Sequence, residues 1–291
     1  MRVYCLILIY LFVCFFFVFM QKFENMKIFT LDHCQYLTHI PNVSGLPNLE
    51  KFSFEKCHNL ITIDNSLGHL HKLKILNAKG CNKLESFPPL GLASLRDLEL
   101  SECKSLKNFP ELLCKMRNIE YIRLYETSIG ELPLSFQNLS ELYFLTIYQG
   151  GMCRISSDIF MMPKLSMISA KGCRILLPKQ NEKKNSIVSS NVEHLDLQNN
   201  NLSDECFPIV LKWCVNVTYL NLWNNNFKIL PECLSECHLL RMLYLDDCKS
   251  LEEIKGIPPN LNYLSAVKCE SLSSSSRRMI LSQVCCCFIL H

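Results

Sequence analysis

Residues 95–110 read LRDLELSECKSLKNFP, and their spacing decides the fold. The same offsets return in residues 26–41 (MKIFTLDHCQYLTHIP) and in residues 73–88 (LKILNAKGCNKLESFP). Eleven copies begin 21 to 27 residues apart, at Met26, Leu49, Leu73, Leu95, Ile119, Leu142, Leu165, Val192, Val217, Leu240 and Leu261. The chain is therefore an internal repeat array.

Each copy has the pattern of one strand and one return segment. In L-x-x-L-x-L the last two apolar residues alternate with polar ones, which is the period of a strand with one buried face. A Pro in the return segment prevents a long helix. The apolar side chains of one copy supply roughly 10 kcal/mol of burial, whereas ordering its backbone costs about 1–2 kcal/mol per residue. The copies must therefore stack, and we expect an α/β-type repeat solenoid: a leucine-rich repeat horseshoe with a parallel concave β-sheet and an irregular, short helical convex side.

The position three residues after the last strand leucine carries a small side chain, which we expect to turn inward and donate to backbone carbonyls of the neighbouring coil. This predicted structural ladder consists of Cys34, Cys57, Cys81, Cys103, Cys173, Asn200, Asn225, Cys248 and Cys269. The 18 cysteines include no C-x-x-C pair, so we interpret them as packing residues in a reducing compartment. A three-ligand metal cluster at Cys233, Cys237 and His238 is the alternative, and packing is the better interpretation.

Composition excludes several functions. Lys and Arg number 30 against 27 Asp and Glu, so no basic footprint for nucleic acid is present. The sequence has no G-x-x-x-x-G-K-[ST] phosphate loop, and its eight histidines fall in separate places without a nucleophile in a recognisable motif. We therefore predict no enzymatic activity, no cofactor, no metal and no nucleic-acid partner.

Aromatic residues occupy strand positions that should point out of the concave face, where a solvated sheet would carry polar residues. Tyr, Trp and Arg dominate interface hot spots, so we predict protein binding there. The alternative is that tyrosines simply suit strands. The candidate binding residues lie in the fifth, sixth, ninth and tenth copies: Tyr121, Arg123, Tyr125, Phe144, Tyr148, Tyr219, Trp223 and Tyr244.

The two ends differ from the repeats at 22–272. Residues 3–20 are apolar and just long enough to span a bilayer, so a membrane helix within 1–21 is one interpretation and a signal peptide another. A third is that this segment and the end of the 273–291 tail are translated intron sequence. An insert at 178–191 should form an exposed loop. The first copy should expose Phe29 and Leu31 on an uncapped edge, which predicts association.

Several runs resemble the repeat region of plant intracellular immune receptors that carry an N-terminal TIR domain and a central nucleotide-binding domain, as found in legumes. They include residues 37–63 (LTHIPNVSGLPNLEKFSFEKCHNLITI), 94–113 (SLRDLELSECKSLKNFPELL), 189–213 (SSNVEHLDLQNNNLSDECFPIVLKW) and 229–248 (ILPECLSECHLLRMLYLDDC). The resemblance covers about residues 23–284. TIR-like and phosphate-loop sequences are absent, so the resemblance carries over only the sensor part.

The resemblance implies a protein partner: a pathogen effector, a guarded host protein, or the receptor's own nucleotide-binding domain supplied in trans. It also implies a role in defence response and signal transduction. Expected localisation is the membrane, with the repeats facing the cytosol, if the apolar segment inserts, and otherwise the cytoplasm. The alternatives are a membrane-anchored leucine-rich repeat receptor-like protein and a non-functional truncated remnant.

Overall fold

The computed structural model describes residues 23–176, 190–206 and 215–283. The apolar segment at 3–20, most of the 178–191 insert and the end of the tail lie outside these ranges. The chain divides between Leu142 and Tyr143 into two compact units.

The first unit is built on a parallel sheet whose strands follow one another in chain order. A two-stranded sheet and two 3₁₀ turns, Asn65–His69 and Leu134–Asn138, lie in the return segments. The strands of the main sheet are β1 (Ile28–Thr30), β3 (Lys51–Ser53), β5 (Ile75–Asn77), β6 (Asp97–Glu99) and β7 (Tyr121–Tyr125), and the small sheet pairs β2 (His39–Ile40) with β4 (Thr62–Ile63).

The second unit repeats this plan and ends in a helix, α1 (Ser274–Gln283). Its 3₁₀ turns are Ser157–Met161 and Glu232–Glu236. The strands of its main sheet are β8 (Phe144–Ser156), β9 (Met167–Leu176), β10 (His194–Asp196), β11 (Tyr219–Asn221), β13 (Met242–Tyr244) and β15 (Tyr263–Ser265), and a small sheet pairs β12 (Ile229–Leu230) with β14 (Glu253–Ile254). The predicted leucine-rich repeat solenoid with a parallel sheet is confirmed in each unit.

Equivalent positions of successive copies lie in register. Leu98 of β6 pairs with Leu76 of β5 on one side and with Ile122 of β7 on the other, and all three are fully buried. The inward face of the strands and the apolar residues of the return segments therefore make one continuous core in each unit.

In ten of the eleven copies, a residue with a left-handed backbone conformation lies immediately before the ladder position. Gly80 (φ 76°) and Gly172 (φ 64°) adopt this conformation without a steric cost. In the rest of these copies a non-glycine residue adopts this backbone conformation, which costs roughly 1–2 kcal/mol per residue. These residues are His33, Lys56, Glu102, Glu126, Asn199, Asn224, Asp247 and Lys268. The turn aims the following side chain into the stack.

The ladder side chains bond the backbone of the preceding copy. The Cys57 thiol donates to the Leu31 carbonyl at 3.1 Å, and the Cys81 thiol donates to the Phe54 carbonyl at 3.2 Å. Cys103, Cys248 and Cys269 make the same contact with Ala78, Leu222 and Leu245, at 3.2, 3.2 and 3.1 Å. Burial raises the pKa of Cys248 to about 12 and that of Cys269 to about 11, so these thiols keep their protons.

Asparagine fills the same position with more bonds. The Asn225 amide nitrogen donates to the carbonyls of Leu197 (2.9 Å) and Leu222 (2.8 Å), and its oxygen accepts from the N–H groups of Asn200 (3.1 Å) and Leu202 (3.0 Å). Asn200 likewise donates to Ala170 at 2.7 Å and accepts from the Cys173 N–H at 2.7 Å.

Two members of the predicted ladder depart from this pattern. The Cys173 thiol lies 3.5 Å from the Lys171 carbonyl of its own strand, because β8 and β9 continue past the usual turn and set Cys153 opposite Cys173. Cys34, in the first copy, is only partly buried.

A second row of asparagines was missed by the sequence analysis. Asn48 donates to the Glu24 carbonyl at 2.6 Å, and its equivalents bond the copy before them in the same way. The side-chain amides of the equivalents donate to backbone carbonyls over 2.6 to 2.9 Å: Asn118 donates to Ala93, Asn191 to Pro163, Asn216 to Ser190 and Asn260 to His238. The signal was present, because Asn directly precedes the first apolar residue in six of the eleven copies.

The expectation that the first copy exposes Leu31 is wrong. Leu31 is 5% exposed because it lies on the inward side of the turn, as Phe54 does in the next copy. The Phe29 ring is partly buried and stacks on Phe52, with ring centroids 5.4 Å apart. The exposed apolar residue of β1 is Ile28, at 64%.

Helix α1 packs against the last copies of the second unit. Ile280 is fully buried, and the Ser276 hydroxyl accepts the Ile254 N–H at 3.0 Å. The first part of the predicted tail therefore belongs to the folded unit and supplies partners for its final copy.

We expect the Asn225→Ala substitution to lower the free energy of unfolding by about 2–4 kcal/mol, because it leaves several buried backbone groups without a partner. Cys248→Ala removes one thiol hydrogen bond and should cost about 1 kcal/mol. Urea titration followed by circular dichroism measures both effects.

The matched control is Asn226→Ala, since the exposed Asn226 amide bonds only the side chain of Asn201 among the contacts described. A loss for Asn225→Ala no larger than the loss for Asn226→Ala would contradict the ladder interpretation.

Candidate functional site

The outward side chains of the second-unit sheet form rows across the strands. The first outward residue of each strand lies beside its equivalent in the next copy. This row is apolar or aromatic throughout: Phe144, Met167, His194, Tyr219, Met242 and Tyr263. Exposed apolar and aromatic side chains in a continuous row do not stabilise a solvated sheet face, so this row is a candidate binding surface.

Four rings of this face are in mutual contact, and we call them the aromatic stack: His194, Tyr219, Tyr244 and Tyr263. His194 lies parallel to Tyr219, with centroids 4.0 Å apart and planes 6° apart. Tyr244 stands between Tyr219 (5.3 Å) and Tyr263 (5.0 Å), tilted by 42° and 39°. Each ring is partly exposed, so the stack presents ordered aromatic surface to solvent.

Neighbouring groups hold the aromatic side chains in place. The Asn221 amide donates to the Tyr219 hydroxyl at 3.3 Å, and the Trp223 indole N–H donates to the Asp247 carboxylate at 3.0 Å. Burial raises the pKa of the Tyr219 and Tyr244 hydroxyls, so both remain neutral hydrogen-bonding groups. A partner would therefore meet rings whose conformations are already fixed.

Carboxylates at the second and third outward positions are occupied within the sheet. Asp196 is paired with Lys171 at 3.1 Å. The Asp246 carboxylate accepts from the Ser265 hydroxyl (2.5 Å) and from the Val267 N–H (2.7 Å). These bonds bury Ser265 and Asp196, although outward positions were predicted to be exposed. The second-unit face therefore combines aromatic side chains with carboxylates that are held within the sheet by one ion pair and by hydrogen bonds.

The candidates of the sixth copy lie on the same face. Phe144 and Tyr148 of β8 are partly exposed, and Tyr148 is in register with Lys171 of β9. Tyr219, Trp223 and Tyr244 were predicted from the sequence, whereas His194 and Tyr263 were not. Both occupy the first outward position of their copies, so the repeat alignment would have revealed them.

The first unit carries the remaining candidates on β7. The Arg123 guanidinium bonds the Asp97 carboxylate at 2.6 Å and lies 5.5 Å from the centre of the Tyr121 ring. Glu99 lies 3.9 Å from Arg123, and burial raises the pKa of its carboxyl. Tyr125 is 41% exposed. Arg123 is thus already paired with carboxylates of the neighbouring strand. Of the two tyrosines of β7, Tyr125 is more exposed than Tyr121.

The metal alternative at Cys233, Cys237 and His238 has no support from the geometry. Cys237 is buried, and burial raises its pKa to about 11, whereas His238 is exposed. Throughout the described ranges, no three His, Cys, Asp or Glu side chains are grouped to hold a metal ion. Within the same ranges, no helix combines the length and apolar character needed to cross a bilayer.

The model of the leucine-rich repeats of RPS4B-like disease resistance proteins matches residues 91–290. This chain belongs to that family. The family assignment confirms the resemblance to the repeat region of plant resistance proteins.

Individual family relatives are similar over their repeat regions. Disease resistance protein RPP4 of Arabidopsis thaliana is 30% identical over 246 residues, covering 84% of this chain and 19% of that protein. The TMV resistance protein N of Nicotiana glutinosa is 27% identical over 292 residues, covering 84% of this chain and 26% of that protein. The chain thus spans about a quarter or less of the length of these relatives.

Among solved structures, the leucine-rich repeat domain of the type III effector XopL is similar, with a TM-score of 0.52 at 18% identity. The match covers 89% of this chain and 77% of that domain, and it supports the fold.

Burial lowers the pKa of His194 below its ordinary value, so folding favours the neutral form of the ring. The stabilisation is complete above the pKa of the unfolded chain and is lost as the pH falls through the folded pKa. We therefore expect the free energy of unfolding to decrease from pH 7 to pH 5. The His194→Phe substitution keeps a stacked ring but removes the titrating group, so it should make that decrease smaller. Urea titrations at several pH values measure it, with exposed His238→Gln as the control. Equal pH slopes for wild type and His194→Phe would refute the prediction.

Proposed function

We propose that this chain is the protein-recognition part of a plant resistance protein and that it binds its partner through the outward face of the second-unit sheet. The aromatic stack is the observation that carries this proposal. Its rings are partly exposed and packed on one another, and the Tyr219 hydroxyl accepts a hydrogen bond from Asn221, so little side-chain entropy is lost when a partner covers them. Tyr and Trp side chains of this kind supply most of the binding energy in protein interfaces.

The family supports a role in defence, and the resemblance suggests the partner. A pathogen effector, a guarded host protein or the receptor's own nucleotide-binding domain would each present a protein surface to the stack. The residues proposed to contact it are Phe144, Tyr148, Tyr219, Trp223 and Tyr244, with His194 and Tyr263 added by the structure. Tyr121, Arg123 and Tyr125 form a separate candidate contact on the first unit.

We propose a cytosolic setting for this recognition. The ladder thiols of Cys57, Cys81 and Cys103 are free and fully buried, in positions where they bond backbone carbonyls. Such cysteine usage suits a reducing compartment.

Alanine substitution at Tyr219 and Tyr244 tests the proposal. Proximity labelling with the full chain in plant cells identifies partners, and the affinity of each purified partner is then measured for the wild type and the variants. We expect each substitution to weaken binding by about 10-fold or more, because hot-spot rings contribute about 2 kcal/mol or more.

The matched control is Tyr36→Ala, since Tyr36 is 51% exposed and lies outside the outward sheet positions. Circular dichroism and hydrogen exchange of the core amides establish that each variant is folded. Folded Tyr219→Ala and Tyr244→Ala variants that bind every partner with wild-type affinity would overturn the proposal.

A further inference from the structure

Cys34 differs from the other ladder cysteines, all of which lie in the described part of the chain. Cys57, Cys81, Cys103 and Cys248 are fully buried, and Cys173 and Cys269 are nearly so, whereas Cys34 is partly exposed. Cys34 is therefore the ladder cysteine that a small oxidant in solvent can approach most readily.

Cys34 and Cys57 occupy equivalent positions in adjacent coils. The pairing of β1 with β3 joins residues 23 apart, as in Ile28 with Lys51, and the same offset leads from Cys34 to Cys57. Backbone pairing continues beyond the strands, since the His33 N–H donates to the Glu55 carbonyl at 2.7 Å. His33 and Lys56 have matching φ angles of 61° and 56°, so the two turns have the same form. Neighbouring parallel coils lie about 5 Å apart, which is within the Cα separation that a disulfide spans.

The chemistry of the two thiols is complementary. A hydrogen bond from the Cys57 thiol lowers the pKa of Cys34 to about 7, against the opposing effects of burial and of the Asp32 carboxylate. The same contact raises the pKa of Cys57, so Cys57 keeps its proton. The same thiol is within hydrogen-bond distance of the Leu31 carbonyl, at 3.1 Å, so the Cys57 proton has two acceptors within reach. Cys34 is therefore the nucleophile, and Cys57 is the resolving cysteine.

We propose that Cys34 and Cys57 form a peroxide-sensitive thiol pair that closes to a disulfide between the first two coils. The Cys34 thiolate attacks one oxygen of hydrogen peroxide, the O–O bond breaks, and Cys34 becomes a sulfenic acid while hydroxide leaves. The Cys57 sulfur then attacks the Cys34 sulfur, and the S–OH bond breaks. The departing hydroxide and the Cys57 proton form water. Two thiols have lost two electrons in total, and the peroxide has gained them.

Closure changes the first unit in a defined way. The Cys57 sulfur no longer donates to Leu31, so one buried carbonyl loses its thiol partner, while a covalent bond ties the first coil to the second. The pair lies in the first unit, so this inference is independent of partner binding at the aromatic stack.

The full chain is treated with a small excess of hydrogen peroxide at pH 7.5, alkylated under denaturing conditions and mapped by mass spectrometry. We expect a peptide linked through Cys34 and Cys57. In Cys57→Ser, a dimedone adduct at Cys34 should replace the disulfide, because the sulfenic acid has no thiol to resolve it. In Cys34→Ser, Cys57 should remain reduced.

Native alkylation by iodoacetamide provides a second measurement that needs no variant. Cys114 is also partly exposed and lies outside the ladder, so it is the internal control. We expect Cys34 to react about 10-fold faster than Cys114 at pH 7, because thiolate is the reactive form. Equal rates, or oxidation of Cys34 to sulfinic acid in the wild type without a link to Cys57, would overturn the proposal.

Discussion

The turn that follows each strand leaves backbone N–H and C=O groups inside the stack, and a side chain of the next copy must bond them. Buried backbone groups without partners cost roughly 1–3 kcal/mol each, so a solenoid with one such turn per copy needs a partner at every turn. Asn225 satisfies four backbone groups, and Cys248 donates to one of the same carbonyls. The left-handed residue before the ladder position turns the chain so that this side chain points inward.

The ladder explains why so much of the fold was readable from sequence. A strand with one buried face, a small inward residue three positions later and a proline in the return segment leave few other arrangements, so the strands appeared where the copies predicted them. Failures occurred where a copy breaks its own pattern. β8 and β9 run on past the usual turn, and the shared triplets Cys153-Arg154-Ile155 and Cys173-Arg174-Ile175 pair along that extension. Pairing that only two copies share leaves no trace in the pattern common to all the copies.

The candidate site was predictable only in part, and for a different reason. Sequence offsets identify which side chains point outward, and that sufficed for Tyr219, Trp223 and Tyr244. Contact between rings depends on register between copies of unequal length and on the side-chain rotamers. Tyr244 lies two positions along its strand from the register partner of Tyr219, yet its ring fills the space between Tyr219 and Tyr263. The burial of Ser53 follows from the same kind of contact, because its hydroxyl bonds Asp32 of the preceding copy at 2.5 Å.

The two rows of ladder and asparagine bonds point the same way along the chain: the side chain of one copy bonds the main chain of the copy before it. Each copy therefore carries the group that completes its predecessor and exposes the groups that its successor completes. A duplication or deletion whose two breakpoints fall at the same repeat position leaves every such bond with a partner. Unequal recombination between copies can thus lengthen or shorten the array while the new junction keeps both rows of bonds, and it brings different outward residues next to one another.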